Sequence, residues 1–411
     1  MSNELIMFNE AISLQQLRLF ESVGRLNGVR RCSEECNLSQ PAVTQALTKL
    51  EQLIGTPLLE RQASGTYLTE AGATLHRRVV RMFEQLTEAL VDLDVPGGRV
   101  GAMPVAQRLS RSQIRGLFSI IEGKSFASAG EALGLTPASM QRASRDLENN
   151  LRKEIFFRTA AGVMVTPAGA DFGRRVKLAL QEVDWALNEI KLAQGTGDTR
   201  IVIGALPFGG SVLLASVLDE FVADHPQADV QIINEGASEM MRRLRAGDVD
   251  LVVGLMQDNP GDDIVSHTLA QTPYAVVARR GHPLAAAGKA SIEDLAHYNW
   301  IVGTEGSSRR RCFDSLFAGN IRPKTSIATC SLPIILNLLV GSNRVTLMTS
   351  YELMHENKLV QLPFNASLPC PSIGITTRAQ WLPTNLHRDF MSLLEARVTA
   401  STHPQPVRTA S

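Results

Sequence analysis

Two stretches of the chain carry side chains suited to reading a nucleic-acid surface. Residues 38–51 read LSQPAVTQALTKLE and residues 135–148 read LTPASMQRASRDLE. On a helix capped by Ser39, the side chains of Gln40, Thr44, Gln45, Thr48 and Lys49 face away from Val43, Ala46, Leu47, Leu50 and Leu53. On one capped by Thr136, with Pro137 in its first turn, Ser139, Gln141, Arg142 and Arg145 are expected to project outward. Amide, hydroxyl and guanidinium groups can bond base edges, and cations neutralise phosphates. A polar outer face is also what any solvated helix shows, so one such helix decides little.

The two stretches belong to a longer repeat. A shift of 97 aligns residues 14–74 with 111–171 without a gap, placing Leu17-Arg18 on Ile114-Arg115, Leu50-Glu51 on Leu147-Glu148 and Ala71-Gly72 on Ala168-Gly169. Each copy parses alike. Leu14, Leu17, Phe20 and Val23 make one helical face, as do Ile114, Leu117, Phe118 and Ile121. Short second helices follow at 29–36 and 127–133, then a turn and the capped helices above. LLERQASGTYLT and IFFRTAAGVMVT read as hairpins, each carrying one arginine, Arg61 and Arg158. Helix, turn, capped helix and hairpin together suit insertion into a major groove.

Composition limits the alternatives. Hydrophobic residues make up 44% and charged residues 20% of the 411-residue chain, and no apolar run is long enough for a membrane span. The N-terminus lacks a secretory leader pattern, and the five cysteines are few and scattered, which fits reduced thiols in a cytoplasmic protein. Net charge is zero overall, but residues 101–195 carry +4 while the segments on either side carry −2 each. An enzyme is disfavoured: Ser211 has no GxSxG elbow, and the histidines form neither HExxH nor HxH. Cys32 and Cys36 lie one helical turn apart but are too few to hold zinc. No catalytic residue, metal or cofactor is expected.

At these residues the chain resembles the LysR-type transcriptional regulators. The first copy supplies Leu14, Leu17, Phe20, SQPA at 39–42, LLER at 58–61 and LTEAG at 68–72; the second supplies SFASAGEALGLT at 125–136, IFFR at 155–158 and VTPAG at 165–169. It departs from the family in having a second module, in the Arg-Arg-Cys-Ser-Glu-Glu-Cys of the first copy, and in Thr-Pro-Ala-Ser where the second has lost Gln-Pro. The resemblance implies double-stranded DNA as a partner, contacted by Ser39, Gln40, Pro41, Thr44, Gln45, Thr48, Arg61, Thr136, Ser139, Gln141, Arg142, Arg145 and Arg158. It also implies self-association as a dimer or tetramer through the long second linker helix. The expected boundaries are a first winged helix at 12–72, linker helix 73–94, flexible connector 95–107, second winged helix 109–169, linker helix 170–195, and a disordered tail at 401–411.

From residue 199 the rhythm becomes alternating strand and helix, implying a parallel, doubly wound α/β region. Its resemblance is to the bilobal effector domain of the same family, similar to periplasmic binding proteins, with lobe I at about 199–271 and 372–400 and lobe II at about 272–371. Strand-end loops in such folds hold ligands. The candidates are Leu206, Pro207, Gly209, Ser211, Leu255, Thr304, Gly306, Ser307, Arg309, Thr329, Ser331 and Thr349. VVARRGHPLA and IVGTEGS are most similar to the branch of protocatechuate-operon and galactose-binding-protein regulators, which implies an aromatic-derived acid or a sugar as effector. The expected function is a sequence-specific DNA-binding regulator under small-molecule control. The alternatives are a regulator with one winged helix given over to protein contact, or an α/β small-molecule-binding enzyme.

Overall fold

Helix α1 (Leu14–Leu26) starts at a capping box, Ser13 accepting from the Gln16 amide while the Gln16 side chain accepts from Ser13, and it stops at Asn27 in the left-handed region. The computed structural model describes residues 12–123, 136–159, 162–195, 199–206, 211–257, 259–319, 321–353 and 356–402. They fall into two compact units, Met1–Asp198 and Thr199–Ser411.

In the first unit α2 (Val29–Cys36) and α3 (Gln40–Ile54) follow α1, and the hairpin β1 (Leu59–Gln62) and β2 (Gly65–Leu68) leads into α4 (Glu70–Asp92). A second set comprises α6 (Arg111–Gly123), α7 (Pro137–Leu151), the hairpin β3 (Phe156–Thr159) and β4 (Gly162–Val165), and α8 (Pro167–Ala193). The short helix expected at 127–133 lies outside the described residues.

The Leu-Glu pair shared by the two sets has a mechanical role. Glu51 Oε1 accepts from the Leu58 and Leu59 amides (2.8 and 3.1 Å), and Glu148 Oε1 accepts from those of Ile155 and Phe156 (2.9 and 3.0 Å). Each carboxylate thus ties the end of the capped helix to the start of its hairpin. The shared Ala-Gly pair seats the next helix. A Cβ on Gly72 would fall 1.9 Å from the Leu58 carbonyl oxygen, and one on Gly169 would fall 2.7 Å from that of Ile155. Only glycine admits so close an approach of backbone to helix.

Two expectations are corrected here. The connector at 95–107 is not flexible chain: α5 (Gly98–Arg108) occupies it, burying Ala102, Val105 and Ala106 against α4. Pro104 lies inside this helix, and Ala102, Val105 and Ala106 around it supply the face that is buried. The second correction concerns α8, whose apolar side was expected to need a partner copy. That side packs on α4 of the same chain, and one continuous core holds Val79, Met82 and Leu86 together with Val176, Val183 and Ile190.

The second unit holds two lobes. Lobe I has the five-stranded sheet β6 (Ala228–Asn234), β5 (Thr199–Ala205), β7 (Leu251–Leu255), β14 (Ser372–Arg378), β8 (Ile264–Gln271), in that spatial order. Strands β5, β6 and β7 are parallel, whereas β14 runs antiparallel to β7 and β8, so the sheet is mixed rather than wholly parallel. Helices α9 (Ser211–Asp224), α10 (Ala237–Ala246) and α15 (Asn385–Thr402) belong with it. The last helix runs to Thr402, into the segment expected as tail, and residues 403–411 lie outside the description. Lobe II holds β9 (Tyr274–Arg279) between β12 (Thr346–Thr349) and β13 (Leu359–Gln361), and β10 (Trp300–Val302) beside β11 (Thr325–Ala328). Its helices are α11 (Ile292–Ala296), α12 (Ser308–Leu316), α13 (Leu332–Val340) and α14 (Ser350–Leu353).

Candidate nucleic-acid interface and effector cleft

Helix α3 is presented by its own sequence. The Ser39 hydroxyl accepts from the Ala42 amide, Pro41 sits in the first turn where no N–H is needed, and Gly55 ends the helix at φ +80°. Val43, Leu47 and Leu50 are buried, which turns Gln40, Pro41, Gln45, Thr48 and Lys49 outward, with Ser39 exposed at the tip. Thr44 is half-buried, so its hydroxyl stands at the margin of the face. Arg61 on the hairpin is exposed. That hairpin docks on α1: the Thr66 amide donates to the Asn27 carbonyl (3.2 Å), and a Cβ on Gly65 would fall 2.7 Å from the same oxygen.

The N-terminus of α7 is built the same way. Thr136 Oγ1 accepts from the Ser139 amide (3.2 Å), and Met140, Ser144, Leu147 and Leu151 face the core. Ser139, Arg142 and Arg145 are exposed, as expected. Gln141 is half-buried rather than fully outward. The side chain of Arg158 lies outside the described residues. Cys32 is fully buried on α2 and burial pushes its thiol up to about 11, so it is a packing group. Among the described residues no cluster of potential metal ligands is found.

In the second unit a cleft of about 1400 Å³ opens between the lobes. Of the residues expected there, Leu206, Leu255, Thr304, Gly306, Ser307 and Ser331 line it. Pro207 and Gly209, and the side chain of Ser211, lie outside the described residues. Three expectations fail. Arg309 is buried and pairs with Glu352, pointing into lobe II rather than the cleft. Thr349 is buried with it, its amide and hydroxyl donating to Glu352 Oε2 (2.6 and 3.1 Å). Thr329 is half-buried and its hydroxyl accepts from the Ser331 amide (3.1 Å), shaping the start of α13 instead of lining the cleft.

The cleft also contains residues the sequence reading missed, chiefly Asn234–Glu239 from the end of β6 into α10, with Gln257, Asn337, Glu356 and Lys358. The first group was findable, because it follows the C-terminal end of a parallel strand, where ligands gather in such sheets. Apolar walls come from Leu206, Leu255, Leu332 and Leu336. Polar groups come from Ser307 and Ser308 at the start of α12 and Ser331 at that of α13, and Lys358 adds a cation. The Tyr274 phenol, pushed up to about 12 by burial, stays protonated and donates to Ser308 Oγ (3.0 Å). Two carboxylates are already committed: Glu235 to Arg243 (2.8 Å), and Glu239 to Arg242, whose hydrogen bond holds the Glu239 carboxyl below its ordinary range. The site is apolar with hydroxyls converging at the N-termini of α12 and α13, suited to a small ring-bearing molecule with polar or anionic substituents.

Comparison with known proteins agrees with this division. The family described as "Bacterial regulatory helix-turn-helix protein, lysR family" matches residues 14–73 and again 112–170, and "LysR substrate binding domain" matches 194–399. The HTH-type transcriptional regulator GalR of Pseudomonas putida is 29% identical over 397 residues, covering 95% of this chain and 98% of that protein. The HTH-type transcriptional regulator GbpR of Rhizobium radiobacter is 25% identical, over 57% of this chain and 79% of its own. Among solved structures, a full-length OxyR variant from Pseudomonas aeruginosa superposes with a TM-score of 0.51 at 19% identity, over 71% of this chain and 95% of its own, a likeness of fold.

Proposed function

The chain belongs to the LysR family of bacterial transcriptional regulators, and from that premise we propose that both of its helix-turn-helix sets are winged helices that bind duplex DNA, gated by a small molecule in the cleft between the lobes. The observation that carries this reading is the matched geometry of α3 and α7. Each is capped at its N-terminus, each turns polar side chains outward, and each is tied to a hairpin by the same glutamate. Arg142 and Arg145 supply phosphate and guanine contacts, and Gln40, Gln45 and Thr48 supply base reading. In the cleft, Ser307, Ser308 and Ser331 hold the polar end of an aromatic acid or a sugar while Leu206, Leu255 and Leu336 cover its ring or carbon face. Regulators of this family form oligomers, and we assign any contact between copies to surfaces other than the apolar side of α8, which is covered.

A second reading has one observation in its favour. Phe157 and Met164 face each other across the second hairpin and are both exposed, where the first hairpin has Glu60 and Tyr67. An apolar hairpin of this kind suits a protein contact. Fluorescence anisotropy on duplexes selected by the full chain separates the two. If both sets bind DNA, Arg142→Ala/Arg145→Ala flattens the log–log salt dependence by about 0.9 for each phosphate no longer neutralised, and Gln40→Ala/Gln45→Ala alters base preference with little change in slope. Unchanged affinity and slope for the first pair would retire the second set to protein contact.

A further inference from the structure

Two ion pairs across the α4–α8 seam are one interaction seen twice. Arg78 meets Glu189 at 3.2 Å, and Arg175 meets Asp92 at 2.7 Å. Shifted by the repeat of 97, Arg78 becomes Arg175, and Asp92 becomes Glu189. An antiparallel helix pair related by a two-fold axis exchanges its contacts in this way. Position 85 maps onto position 182, so these two residues must meet at the axis, and there Gln85 Nε2 donates to Glu182 Oε1 (2.9 Å).

The axis is also where the two copies have diverged in charge. Glu182 additionally accepts from Arg78 (2.9 Å) and Arg81 (3.1 Å), and both Arg78 and Glu182 are almost wholly buried. Were α8 to pair with α8 of a second copy, two Glu182 carboxylates would face one another out of water, which like charges strongly oppose. Were α4 to pair with another α4, Arg78 and Arg81 would lose Glu182. The mixed pair is the complementary one.

We propose that α4 and α8 of a single chain replace the two identical helices of a homodimer, so that one chain presents α3 and α7 in inverted orientation to a two-part DNA site whose halves differ. The second clause rests on the reading that both winged helices bind DNA; the first does not. A homodimer brings one recognition helix twice and selects a palindrome. Here the outward faces are unlike, Gln40, Gln45 and Thr48 on α3 but Ser139, Arg142 and Arg145 on α7.

Cross-linking of the full chain tests the pairing. Asp92→Cys and Arg175→Cys are introduced where both native side chains are partly exposed, in a background with Cys36, Cys330 and Cys370 changed to serine, and treated with a short bis-maleimide. The double variant should link within the chain, running as a monomer with residues 92 and 175 in one cross-linked peptide. A mixture of the two single variants, unfolded and refolded together, should give no covalent dimer; a dimer in that mixture overturns the pairing. Selection of bound duplexes from a random library with the unmodified chain then reads the site. A repeating unit of two unlike halves supports the proposal, and a palindrome of identical halves overturns it. A single half-site with an intact intrachain link leaves the helix pairing standing and overturns the two-part site together with the two-module reading above.

Discussion

Replacing Glu182 with alanine removes the anion at the centre of the α4–α8 seam. Arg78 is 0% and Glu182 1% exposed at the side chain, so the guanidinium is left in a place water does not reach. Removing one partner of such a pair costs about 3–5 kcal/mol. Glu189 stays within 3.2 Å of Arg78, and Arg81 is 28% exposed and can turn to solvent, which lowers the expected loss to about 2–4 kcal/mol. Hydrogen exchange followed by mass spectrometry measures this in the intact chain without assuming that both units unfold together. At 1.4 kcal/mol per factor of ten, amides of α4 and α8 should exchange about 30- to 700-fold faster, with lobe amides unchanged. The double variant Arg78→Met/Glu182→Met removes the charges but keeps the volume, and it should recover most of the protection. Exchange of Glu182→Ala within threefold of the native chain would refute the reasoning.

Three further outcomes follow from the geometry. Gly72→Ala drives a methyl into the Leu58 carbonyl and should destabilise the first unit by at least about 1–3 kcal/mol in a thermal melt, more than Gly169→Ala, where the approach is less close. His282 is buried, its Nδ1 accepting from the Leu284 amide and its Nε2 donating to the Asn343 carbonyl, and burial lowers its pKa below the ordinary 6.5. The unfolded chain therefore binds the proton more readily, so lobe II is fully stabilised above about pH 6.5 and loses stability as pH falls below it. Hydrogen exchange near β9 at pH 7 and pH 5, corrected for intrinsic rates, should show that loss, and His282→Asn should abolish it. Leu336→Arg fills the cleft with a charged side chain; effector-dependent changes in DNA binding should vanish while effector-free affinity stays within about twofold, and a surviving response would place the effector elsewhere.

Much of the candidate DNA-binding surface was legible in the residues. The caps at Ser39 and Thr136, the apolar spacing of α3 and α7 and the hairpin turns are short-range features. The repeat supplied a register in which Leu-Glu and Ala-Gly stood out before their roles were known. The cleft was half legible. Thr304, Ser307 and Ser331 were found as hydroxyls beside helix starts, whereas the residues between β6 and α10 were not among the expected cleft residues, although they follow the end of a parallel strand.

What the sequence determined alone was local: where helices begin and end, which side of each is apolar, and that one pattern occurs twice 97 residues apart. Those properties are set by neighbours within a few turns. Only the tertiary structure decided what covers each apolar side. A hydrophobic stripe does not name its partner, so α8 read as a seam awaiting a second copy until α4 was seen to fill it, and residues 95–107 read as tether until α5 was seen packed on α4. Charge is equally blind to distance along the chain. Arg309 looked like a ligand contact beside Ser307, yet Glu352, 43 residues away, draws it into lobe II. Burying a charge demands a counter-charge, and which one answers is settled by the fold.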